Sequence, residues 1–219
     1  MTNLHISQYA LEQWLCQMVS SKIKVFAPVH DGEKIDFRLL SSGDEVAAGY
    51  VQTTQSAKRF AFPKTERLFS YRKEGKDVTL QERNLNDFPE IVLWKVRPCD
   101  AVGFGSLTGI FNWDYKDNLY NARRAKMALV SFSCTQCDES CFCTSVHGGP
   151  GNTEGSDIQV TELPDQSALV EVLTTKGRAL VERFMKEPVP ADGIDKSAYL
   201  ASVPVSYTHL RAHETCADL

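Results

Sequence analysis

The chain has 219 residues, with 24 Lys and Arg against 28 Asp and Glu, 42% hydrophobic residues and 10% aromatics. That length gives room for one well-filled core, or one domain and part of another, and the hydrophobic share is too high for a disordered chain. The formal net charge of −4 argues against a dedicated nucleic-acid binder, no stretch approaches the roughly 18 apolar residues of a membrane span, and the N-terminal MTNLHISQYALEQW lacks the basic start and apolar run of a signal peptide, so a cytoplasmic protein is expected.

Residues 6–19 carry Ile6, Tyr9, Ala10, Trp14, Leu15, Met18 and Val19 at helical spacing, which predicts an amphipathic helix capped by Ser7, with Cys16 on its apolar face as plain core. IKVFAPV, residues 23–29, reads as a strand that Pro28 confines to an edge or an end. The turn His30-Asp31-Gly32 and the alternation Ile35, Phe37, Leu39 complete a hairpin. Residues 52–90 are polar and broken, with a short strand near 78–81. IVLWKV, residues 91–96, suits a buried strand and ends at Arg97-Pro98-Cys99-Asp100. Helices are predicted within 101–111 and 117–126, and a strand at 127–132. A cysteine-bearing loop occupies 133–157, and strands at 158–162 and 168–173 turn at Pro164-Asp165. A helix over 174–186 is ended by Pro188, Pro190 and Gly193. The mixture predicts an α/β (mixed α+β) domain over residues 1–187. Its central sheet is flanked by helices, with 91–96 beside 127–132.

Residues 188–204 read as a linker to a missing domain. The tail 205–219, VSYTHLRAHETCADL, reads as the translation of a transposase adapter used to build sequencing libraries. Such a scar is excluded from fold reasoning. The tail is expected to be disordered, and residues beyond about Pro190 to pack poorly. Cys216, His209 and His213 then carry no function, leaving six of the seven cysteines and three of the five histidines.

A reducing compartment gives little use for a disulfide scaffold, and four cysteines gathered between 134 and 143 read instead as a metal site. The pattern is C-x2-C-x3-C-x-C: Cys134, Cys137, Cys141 and Cys143, with a distant fifth, Cys99, after a buried strand. Thiolates are soft ligands that suit zinc or an iron–sulfur cluster. A cubane needs four sulfurs spread around a polyhedron, so one ligand commonly comes from elsewhere in the chain. Cys99 and Cys134 meet if their strands are neighbours with loops on the same side. Cys134 directly follows a strand, whereas Cys137 lies in mid-loop between Gln136 and Asp138. The backbone N–H groups around Thr144, Ser145, Gly148 and Gly149 can serve sulfide atoms. Structural zinc stays open, although its familiar pattern pairs two separated C-x2-C hairpins and a second is missing here. Disulfide exchange in the C-T-Q-C motif of Cys134 and Cys137 explains neither Cys99 nor Cys143. Cysteines packed without a metal are the plainest alternative.

Other features carry less. His30 reads as a surface residue. Arg123, Arg124 and Lys126, and likewise Lys64, Arg67, Arg72 and Lys73, read as solvated basic faces. Gly148-Gly149-Pro150-Gly151 lacks the strand and helix of a dinucleotide fold. No pattern pairs a nucleophile with a base, so no catalytic residue is expected.

WKVRPCDA, then Tyr120-Asn121-Ala122-Arg123-Arg124, then FSC…CFCTSVHGGP and LVEVLTTKG together resemble a family of iron–sulfur electron-transfer subunits. That family includes the sulfhydrogenase beta subunit and the A subunit of anaerobic sulfite reductase. The resemblance spans residues 60–185. FPKTERLFSYR, residues 62–72, looks like the family's segment around its Pro…Glu…Leu-Phe signature. Two positions depart from it: Cys137 is not a family ligand position, and His147 stands where a glycine or another small residue is expected. The resemblance implies an electron-transfer subunit of an anaerobic redox complex. One [4Fe-4S] cluster would be held by Cys99, Cys134, Cys141 and Cys143, with Cys137 the spare candidate and the choice between Cys134 and Cys137 open. Further clusters belong to a missing ferredoxin-like domain. The implied partners are a flavin- or NAD(P)-binding subunit and a hydrogenase or sulfite reductase catalytic subunit, with no nucleic acid and no membrane span. The alternative is a zinc-stabilised protein-interaction module, in which the metal only folds the loop.

Overall fold

The computed structural model describes residues 2–186, 189–191 and 194–202. The chain enters as β1 (Thr2–Ser7) and turns directly into α1 (Gln8–Val19), where the Ser7 hydroxyl accepts the Ala10 N–H. α1 buries Leu11, Trp14 and Met18. Cys16 is exposed rather than core: two residues past Trp14, it lies roughly 200° around a helix of 3.6 residues per turn. β2 (Lys24–Asp31) and β3 (Lys34–Leu39) form the expected hairpin, with Gly32 supplying a φ of +61° at the turn. β4 (Phe69–Glu74) and β5 (Asp77–Glu82) make a separate two-stranded hairpin. β6 (Ile91–Val96), α2 (Pro98–Ile110), α3 (Asn118–Ala125) and β7 (Met127–Phe132) follow. After the cysteine loop come β8 (Ile158–Glu162), β9 (Ser167–Val172), α4 (Thr175–Phe184), β10 (Val189–Pro190) and α5 (Lys196–Ser202).

Eight strands form one mixed sheet in the order β10-β1-β9-β8-β7-β6-β2-β3. The four strands β8, β7, β6 and β2 are mutually parallel, and the outer pairings are antiparallel. The expected α/β fold with helices on a central sheet is therefore present, and β6 and β7 are parallel neighbours. Pro28 sits past the last β2–β6 pair, Phe26↔Leu93, so its missing N–H costs no ladder bond there.

Alternation along the central strands feeds two cores. Val92, Trp94, Ala128, Val130 and Phe132 join α1 and α4 on one face; Ile91, Leu93, Met127 and Leu129 join α2 and α3 on the other. Lys95 interrupts the period. It has a φ of +64° at a bulge in the β6–β7 register, and Val96 consequently turns to the same side as Leu93. That bulge aims Arg97-Pro98-Cys99 over the end of the sheet.

Of the chain after residue 186, residues 189–191 and 194–202 are described, and none of their side chains described is buried. β10 pairs with β1 at Leu4↔Pro190, and Lys196 on α5 forms an ion pair with Glu171 and hydrogen-bonds the buried Gln159. A Cβ on Gly151 would stand 2.4 Å from Leu200, so the helix lies directly on the loop. The tail 205–219 lies outside the described residues. Among the described residues, no helix is long and apolar enough to cross a membrane.

Candidate metal centre

Parallel strands put their C-terminal ends, and the loops that follow, on one edge of the sheet, where open α/β sheets place their sites. Cys99 follows β6 and Cys134 follows β7, so both reach that edge. Pro98 fills the first turn of α2, where its missing N–H is harmless, and Cys99 sits next to it in the same turn. Asp100 is ion-paired to Lys58 at 3.2 Å.

The loop between β7 and β8 is tied down at both ends. The Cys134 N–H donates to the Pro150 carbonyl at 2.9 Å, and the Ser133 and Thr161 hydroxyls are 2.7 Å apart. At the far end, buried Asp157 accepts the Leu129 N–H at 2.9 Å and the Thr174 hydroxyl at 2.6 Å, locking the loop exit to β7 and to the cap of α4. Gly155, with φ +78°, presses the loop onto α2: a Cβ there would stand 2.2 Å from the Ala101 carbonyl oxygen. Within the loop, a helical turn over Cys143–Val146 ends at His147, whose φ is +58°. The left-handed conformation explains why a glycine is expected at that position. Gly148 follows, its N–H bonded to the Cys143 carbonyl at 2.8 Å. The Asp138 N–H points at the Cys141 sulfur at 3.4 Å, and Gln52 holds the Asp138 carboxylate at 2.9 Å.

These connections gather Cys99, Cys134, Cys137, Cys141 and Cys143 around one cavity of about 530 Å³. Burial pushes the Cys134 thiol up to about 11; Arg97 opposes the rise, and the neighbouring Cys99, Cys143 and Cys141 add to it. The Cys99 thiol is raised by burial, then by Asp100 and Cys143, and that of Cys141 chiefly by burial. Cys137 stands beside Cys141 on the same cavity, so location alone does not set it apart.

Among the described residues, no group of three or more His, Cys, Asp or Glu side chains stands close enough to hold a metal ion as placed. A tetrahedral zinc needs donors about 2.3 Å from one point.

Sequence reading missed Arg97 as part of this site. It is 8% exposed, lines the cavity and stacks on the Tyr50 ring, its guanidinium carbon 4.1 Å from the ring centre. The Tyr50 hydroxyl donates to the Lys95 carbonyl, which anchors the stack to the bulge. The Arg97 Nε is buried without a hydrogen-bond partner, and no carboxylate pairs with it among the described residues. Its sequence neighbours marked a strand end, with no pattern announcing a buried charge. Arg123, expected on a solvated face, is buried and ion-paired with Glu66. That pair joins the 62–72 segment to the Tyr120–Arg124 motif.

No protein-family model matches this chain, and no curated protein or solved structure matches it.

Proposed function

We propose that the protein is an electron-transfer subunit of an anaerobic redox complex of the hydrogenase or sulfite reductase type, with a [4Fe-4S] cluster as its resident group. The observation that carries this reading is the convergence of five thiols from two chain regions on one cavity at the C-terminal edge of β6 and β7. Cys99, Cys134, Cys141 and Cys143 would hold the cluster, which supplies one-electron transfer without bond chemistry on a substrate. The protein's part is positional and electrostatic. The bulge at Lys95 aims Cys99, the Pro150 carbonyl fixes Cys134, and Gly148 closes the loop behind Cys143. Cys99 is exposed and Cys134, Cys137, Cys141 and Cys143 are half-buried at the cavity wall. Phe142 and Val146, apolar yet 63% and 60% exposed, rim the cavity and suit the docking of a redox partner over it. The partners proposed are a flavin- or NAD(P)-binding subunit and the catalytic subunit of the complex, in the cytoplasm.

The test is anaerobic reconstitution with iron and sulfide, followed by a visible spectrum and an iron count. Broad visible absorbance that bleaches with dithionite supports the reading. A colourless protein that binds one zinc and refuses iron overturns it in favour of a zinc-stabilised interaction module.

A further inference from the structure

Among the described residues, no carboxylate forms an ion pair with Arg97. Burying a guanidinium without an anionic partner is costly. Its Nε has no hydrogen-bond partner, and Asp100, three residues further on, is engaged by Lys58. The Tyr50 ring covers one face of the guanidinium. A cation over an aromatic ring gains too little to replace a lost hydration shell. Arg97 is also the N-cap residue of α2, and no side chain caps that helix. The positive end of a 13-residue helix and a buried guanidinium therefore share one cavity wall with Cys99 and Cys134.

We propose that Arg97 is the built-in counter-charge for an anionic occupant of this cavity, and that it raises the reduction potential of the cluster. This rests on the cluster reading above. A cluster bound by four thiolates is a net anion, and adding an electron makes it more so. A fixed cation at the cavity wall stabilises the reduced state more than the oxidised one, which favours reduction. Arg97 is thus a positioning and tuning residue rather than a ligand. The same charge that costs stability in the metal-free protein is compensated once the anion is in place.

Opposite signs in the two states make the test. Arg97→Gln and Arg97→Lys would be prepared beside the full wild-type chain, each metal-free and anaerobically reconstituted. In the metal-free protein, Arg97→Gln melts at or above the wild-type temperature. In the reconstituted protein it melts lower, with iron content unchanged. Its ratio of reduced to oxidised cluster at a fixed ambient potential falls about tenfold, equivalent to about 59 mV toward more negative potential for one electron. Arg97→Lys, which keeps the charge, retains most of the wild-type potential. An unchanged potential in Arg97→Gln with the cluster bound overturns the proposal. A lower melting temperature in the metal-free variant also overturns it, because Arg97 would then be a structural clamp on Tyr50. Failure of the wild-type chain to take up iron and sulfide refutes the cluster reading by itself. The metal-free melting comparison still decides whether the Arg97 charge is uncompensated.

Discussion

Five sulfurs compete for four places, and single Cys→Ser variants separate them. Cys99→Ser, Cys134→Ser, Cys141→Ser and Cys143→Ser should each lose most of the iron after reconstitution, because ligand binding and loop folding share one free energy. Cys137→Ser should keep its iron. Iron lost from Cys137→Ser and kept in Cys134→Ser would exchange their roles, and iron kept in all five would remove the site. His147 offers an independent check of the loop. It holds a left-handed backbone at φ +58°, a conformation that costs a residue with a Cβ about 1–2 kcal/mol. Replacing it by glycine should raise stability by about 0.5–1 kcal/mol in denaturant unfolding, since the unfolded chain gains some entropy in return. The anomaly at His147 was visible in the bare sequence, and its cause became visible only as a dihedral angle. Arg97 was harder to find, because burial of a charged side chain leaves no periodic mark.

The runs that read most easily were the ones that bury both faces. IVLWKV and MALVSF are apolar but for Lys95 and Ser131 and form β6 and β7, and their adjacency places Cys99 and Cys134 on one edge as expected. β1 has no apolar run to mark it, since only Leu4 and Ile6 of TNLHIS are apolar, and it becomes a strand because β9 and β10 flank it. β4 goes unmarked for a similar reason: it pairs with β5 alone, and Phe69, Tyr71, Val78 and Leu80 all remain more than half exposed. The bulge at Lys95 could not be read at all, because backbone irregularity has no composition of its own. α2 and the cysteine loop meet at Gly155, which makes their contact testable. An added methyl at Gly155 would fall 2.2 Å from the Ala101 carbonyl, in a φ range that disfavours it in any case. Gly155→Ala should cost roughly 1–3 kcal/mol and reduce iron uptake by moving the start of α2, with Cys99, away from the loop. Normal iron in a destabilised Gly155→Ala protein would show that the contact serves stability alone.

The two hydrophobic cores lie on opposite faces of the sheet and draw none of their buried residues from the cysteine loop. Folding of the domain and filling of the site are therefore separable. The metal-free chain should show native secondary structure by circular dichroism and be cut first within 135–149 by a low dose of protease, while the reconstituted chain resists. A collapsed spectrum in the metal-free form would count against this separation. The strand order carries a consequence for the product of that cut. The strand nearest the N-terminus lies between β9 and β10, both of which follow the loop, and it meets β9 along a six-residue register from Thr2↔Val172 to Ser7↔Ser167. The two halves of a nicked molecule are clasped at β1–β9 as well as at β7–β8, so they should elute as one particle and part only in denaturant. Expressed as separate polypeptides divided between Cys137 and Cys141, they should find each other without a linker, and the sulfurs of Cys99 and Cys143 would then come from different chains.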